Sequence, residues 1–229
     1  WLEFRRVLFR SGISMKNIIN CFLKVNLGFI FVISSNLSNV SALDYTNDQD
    51  TIFPKEEVNE LITKANNLEI NRDDKLKTRT ATGTYPTRKG VILVTDDAYK
   101  GVIKTGHSAI IYTSSTVVEA NEPGVEIGPN NWNTSKNQAY AVTVKDTTSK
   151  QDVSAADYCY SQLGKPYNWN FYRMDYRDKF YCSQLIRSAY LDLYDIDLNT
   201  GDFDILTGKA IHPMELVNTS KTKLIYRKK

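Results

Sequence analysis

Apolar residues recur at helical spacing in three stretches of the chain. From Cys182 onward, Leu185, Ile186, Ala189 and Leu193 share one face, so a helix opening at the cysteine is expected to bury that face. Pro54 begins a second helix, with Glu56 and Glu57 early and Val58, Leu61, Ile62, Ala65 and Leu68 on one side. A third spans residues 154–163, where Ala156, Cys159, Tyr160 and Leu163 line up before the stop at Gly164. Between them lie apolar runs of strand length at 90–94, 106–112, 117–120, 139–144 and 223–226. A short helix is expected at 213–217. Residues 72–82, 122–136 and 165–172 read as loops, the last rich in aromatic side chains.

The start of the chain follows another pattern. Residues 1–14 precede the first methionine, Met15, and look like translated cloning-adapter sequence. Residues 15–42 read as a signal peptide: Lys16 and Lys24, an apolar stretch from Val25 to Ile33, then Val40-Ser41-Ala42 for cleavage near Leu43. That apolar stretch is shorter than the about 20 residues a bilayer span needs, so no membrane span is expected after processing. The alternative is a buried N-terminal helix. Asp44 to Asp50 is polar, and residues 43–229 form one expected domain of α+β class.

Charge removes one class of function. The chain of 229 residues carries a net charge of +3, but Arg5, Arg6, Arg10, Lys16 and Lys24 against Glu3 account for more than that excess. Residues 43–229 hold 24 basic and 25 acidic side chains, a net of −1, without an arginine-rich patch. Nucleic acid is therefore not an expected partner.

Few residues are left to carry chemistry. Beyond residue 42 there are two cysteines, Cys159 and Cys182, and two histidines, His107 and His212. At the first turn of a helix, Cys182 meets unpaired backbone N–H groups and the positive end of the macrodipole, which favour a thiolate. A small buried cysteine on a core face is the plain alternative. A Cys159–Cys182 disulfide remains open in an oxidising compartment. Zinc is a weaker option, because no Cys or His pair has close ligand spacing. His107 lies on the strand at 106–112, and Glu119 on the strand that follows. A two- or four-residue hairpin would pair Ile110 with Glu119, leaving His107 and Glu119 on opposite faces; a five-residue connection or a bulge would bring them together. His212, before Pro213, reads as a loop or helix-entry residue.

Two segments together resemble the NlpC-like cysteine peptidases, in their permuted YiiX/YebB-like branch. GHSAIIYTSSTVVEA is similar to that family's histidine strand, turn and second polar residue. KPYNWNFYRMDYRDKFYCSQLI is similar to the segment ending in its nucleophile. The histidine strand precedes the cysteine helix here, which is the permuted order. The resemblance, over about residues 89–195, implies a circularly permuted papain-like fold, an antiparallel sheet or barrel packed against a catalytic cysteine helix.

By position it implies Cys182 as nucleophile, His107 as general base and acid, Glu119 as its orienter and Tyr167 as a side chain lining the site. Trp169 and Tyr181, from the same aromatic loop, are further candidates for substrate contact. Many relatives carry a histidine or amide where this chain has Glu119, and often an acid at Gln184. No cofactor or metal is implied. The expected activity is an exported bacterial cysteine hydrolase cleaving an amide bond through a thioacyl-enzyme, with cell-wall peptides as the substrate that kinship suggests. Alternatives are a papain-like acyltransferase or lipid thioesterase, whose partner is an acyl lipid, and a non-catalytic binding module of the same fold.

Overall fold

The computed structural model describes residues 49–70, 81–97 and 106–229. The segments read as adapter sequence and as a signal peptide, the cleavage expected near Leu43 and most of the loop at 72–82 lie outside the described residues.

One seven-stranded antiparallel sheet organises the domain. Its strands are β1 (Ala81–Thr82), β2 (Ile92–Thr95), β3 (His107–Thr113), β4 (Thr116–Ala120), β5 (Val125–Pro129), β6 (Ala139–Val144) and β7 (Thr222–Lys228), in the order β1-β7-β6-β2-β3-β4-β5. Both faces of its centre are covered. Ile92, Val94, Ile110, Val118 and Val142 join the main core, while Leu93, Ala109, Ile111, Val117 and Ala141 form a second cluster with Trp132 and Tyr226. Burial on both faces explains why these strands read as continuous apolar runs.

Helices α1 (Gln49–Ile52), α2 (Lys55–Asn67), α3 (Trp132–Ser135), α4 (Ser149–Tyr160), α5 (Cys182–Tyr194) and α6 (Glu215–Asn218) complete the fold. Leu185, Ile186 and Ala189 put the inner face of α5 into the main core, beside Ala155, Ala156 and Cys159 of α4. A capping box at Thr148 and Gln151 starts α4 several residues before the expected boundary. Three expected core positions are instead half-open: Leu68 (37%), Tyr160 (41%) and Leu193 (42%) are exposed at or near the ends of their helices. Pro54 is the N-cap of α2 rather than its first helical residue. The loop expected at 122–136 contains both β5 and α3.

Candidate active site

Parity between His107 and Glu119 is settled by a bulge. β3 and β4 turn through Ser114 and Ser115, with Thr113 opposite Thr116, but the register shifts between Ile111 and Thr113. Tyr112 is the extra residue, and below it Ala109 rather than Ile110 pairs with Glu119. His107 and Glu119 therefore become diagonal neighbours on one face. His107 Nε2 and Glu119 Oε2 are 2.7 Å apart, and each residue is only 2% exposed. The indole of Trp132, a residue that sequence reasoning left in a loop, lies 5.5 Å from the imidazole at a 30° tilt.

His107 opens β3, and there the N-terminus of α5 meets it. Cys182 is the first residue of α5 and 1% exposed. Burial pushes its thiol up, but the hydrogen bond from His107 and the imidazole's charge, with a smaller contribution from Ser108, bring its pKa below the ordinary value. For His107, burial pulls down, and the bonds to Cys182 and Glu119 together with both negative charges outweigh it, raising the pKa to about 9. With Nε2 held by Glu119, the bond to sulfur falls to Nδ1. The two shifts run in opposite directions, and both favour a thiolate beside an imidazolium. Ser108 carried no sequence signal beyond its place next to His107.

The loop before the nucleophile is clamped by Gln184. Its Oε1 accepts from Tyr181 N (3.1 Å) and Asn168 Nδ2 (2.9 Å), and its Nε2 donates to Tyr176 O (3.0 Å). A carboxylate could accept the first two bonds but could not donate the third. Ser183 Oγ donates to Ile211 O at 2.6 Å, tying the same turn to the C-terminal segment.

The three aromatic candidates have different surroundings. Tyr167 is 4% exposed, its hydroxyl finds no hydrogen-bond partner among the described residues, and burial, followed by the charge of Cys182, pushes its pKa well up. Trp169 is 42% exposed and packs edge-on against the Tyr167 ring at 4.8 Å. Tyr181 is fully buried; its hydroxyl donates to Phe171 O and accepts from Ile211 N, both at 3.1 Å. Expected as a substrate contact, Tyr181 instead offers neither free surface nor a free hydroxyl, and its bonds brace the loop.

Cys159 and His212 stand apart. Both cysteines are free thiols. Cys159 Sγ faces Leu185 O at 3.8 Å, and burial pushes that thiol up. His212 lies at the entry to α6, where Nδ1 accepts from Met214 N at 3.1 Å and burial lowers its pKa to about 3. Among the described residues no group of three or more His, Cys, Asp or Glu side chains could hold a metal ion, and no helix is long and apolar enough to cross a membrane. A cleft of about 490 Å³ bounded by Tyr172, Arg187, Leu191, Leu206 and Lys209 has none of Cys182, His107 or Glu119 in its lining.

The model of a family described as permuted papain-like amidase enzymes, YaeF/YiiX, C92 family, matches residues 93–221. No curated protein sequence matches. Among solved structures, the crystal structure of the metalloprotein yiiX from Escherichia coli O157:H7 aligns with a TM-score of 0.48 at 15% identity, covering 61% of this chain and 96% of that one.

Proposed function

The chain belongs to the permuted papain-like amidase family and is a cysteine hydrolase of papain-like fold, and from that premise we propose that it cleaves a peptide or isopeptide amide through a thioester on Cys182. The observation that carries this reading is the closed chain of contacts from Glu119 through His107 to Cys182, buried at every member.

The chemistry follows from where the protons rest. The Cys182 thiolate attacks the amide carbonyl carbon, forming a C–S bond as the carbonyl π pair moves to oxygen. Two donors are proposed for that oxyanion: the backbone N–H of Cys182, which has no intrahelical acceptor at the first turn, and the Tyr167 hydroxyl, which has no partner among the described residues. The Nδ1 proton of His107 passes to the amine nitrogen as the C–N bond breaks. A water molecule then gives a proton to Nδ1 and attacks the thioester, and the C–S bond breaks to regenerate the thiolate. Glu119 keeps the imidazole oriented and stabilises its charged form throughout.

The signal-peptide pattern read in the sequence is what favours a substrate outside the cytoplasm. Lys16, Lys24, the apolar stretch to Ile33 and Val40-Ser41-Ala42 form a signal-peptide pattern, and cell-wall peptides are the amide-rich polymer such an enzyme meets. The deciding experiment incubates the full chain with muropeptides and, separately, with acyl-lipid mixtures, reading products by mass spectrometry. Cleaved peptide with a thioester trapped on Cys182 is the expected result. Release or transfer of acyl chains with intact peptide would replace the amide reading with the acyltransferase or thioesterase one.

A further inference from the structure

The carboxylate of Glu119 needs space as well as a partner. β4 and β5 pair with Val117 opposite Gly128 and Glu119 opposite Glu126, so Glu119 and Gly128 are diagonal neighbours on the same face. A Cβ added at Gly128 would overlap Glu119 Oε1, come to 2.8 Å from Cδ and reach 3.3 Å from Val117 Cγ2. Gly128 is not among the glycines with positive φ, so its backbone is one that any residue adopts. The glycine is there for room rather than for backbone freedom. The directly opposite carboxylate, Glu126, is bonded by Asn121 Nδ2 at 2.9 Å and so is turned to another partner.

We propose that Gly128, on the edge strand, is a positioning residue for the reaction: its missing side chain is the seat that holds the Glu119 carboxylate against His107. The inference rests on the catalytic reading given above. Because the overlapped atom is the far end of a flexible side chain, Gly128→Ala displaces the carboxylate more readily than it displaces the strand. His107 then loses its orienting bond although neither His107 nor Glu119 has been altered.

The test is alkylation of Cys182 by iodoacetamide, followed by peptide mapping across pH in four proteins: wild type, Gly128→Ala, Glu119→Ala and the double variant. Gly128→Ala should slow alkylation at pH 7 by about tenfold, the scale of one lost charge-assisted hydrogen bond, and move the rise of the rate to higher pH. In the Glu119→Ala background, where the seat is empty, the same substitution should change nothing. Wild-type speed in Gly128→Ala, beside a fast wild type, overturns this inference and leaves the catalytic reading standing. An equal loss in the Glu119→Ala background also overturns it, because the damage would then not pass through the carboxylate. A wild-type Cys182 no faster than an ordinary thiol removes both. Should Gly128→Ala fail to fold, the double variant decides: a restored cooperative melt supports the seat, and persistent unfolding overturns it.

Discussion

Two cysteines sit a short way apart in one core, and their surroundings shift the two thiols in opposite directions. Cys159 on α4 and Cys182 on α5 are both fully or almost fully buried, and Cys159 lies against the backbone of Leu185, three residues beyond Cys182. Burial pushes both thiols up. At Cys159 nothing outweighs it, whereas at Cys182 the imidazole of His107 does. Neither depth nor a helical setting makes a cysteine reactive; a buried cation within hydrogen-bond reach does.

Breaking the comparison most completely means removing that cation. His107→Ala should leave Cys182 as unreactive as Cys159, and acyl-enzyme formation should fall by about 10³-fold or more, since general acid–base catalysis alone supplies about 10²–10⁴. Rapid-quench mass spectrometry of the acylated Cys182 peptide measures this. A variant that still acylates at near-normal speed would mean that the thiolate is generated elsewhere.

Tyr167→Phe sharpens the comparison by separating charge from oxyanion. The hydroxyl is proposed to meet the substrate's developing charge, so kcat should drop by about 10²-fold, as for one lost oxyanion donor. Alkylation of Cys182, which forms no oxyanion, should be nearly unchanged. A parallel fall in both would place the hydroxyl on the thiolate instead.

Glu119→Gln is expected to act more mildly, slowing acylation by about tenfold, because the amide keeps a hydrogen bond to His107 but not the charge. The effect should appear in kcat/KM and in the pH profile together, with the alkaline limb moving down as the imidazolium loses its stabilising carboxylate.

How much of this was legible in the sequence depends on whether a residue's role is local or spatial. The cysteine helix, the histidine strand and the three polar residues could be read from helical and strand periodicity and from two motifs. The bulge at Tyr112 could not, since parity in a hairpin depends on turn geometry that Thr113-Ser114-Ser115-Thr116 leaves open. β5 was hidden because its five residues include a glycine and a proline, which punctuate loops as often as they mark edge strands. Trp132 came from the same stretch, so the ring beside His107 was hidden with it. The reach of Gln184 across the aromatic loop depends on that loop folding back, which no periodicity records. The bracing bonds of Tyr181 were hidden for a related reason: an aromatic next to a nucleophile looks like a substrate contact, and nothing in the sequence records that its hydroxyl spans Phe171 and Ile211.

The central claim is that one buried thiol is ionised by its histidine while its neighbour is not. Following iodoacetamide alkylation of both cysteines across pH in a single sample tests it most directly. The ion pair should let Cys182 react well below the ordinary thiol pKa of about 8.5, while Cys159, pushed up by burial, stays unlabelled throughout the range. In amide cleavage the corresponding profile should be bell-shaped. Its acid limb comes from protonation of the sulfur, and its alkaline limb, near the His107 value of about 9, comes from loss of the imidazolium proton, both limbs belonging to the coupled pair. If Cys182 and Cys159 are labelled together, rising only at alkaline pH, the thiolate–imidazolium pair does not exist and the account fails.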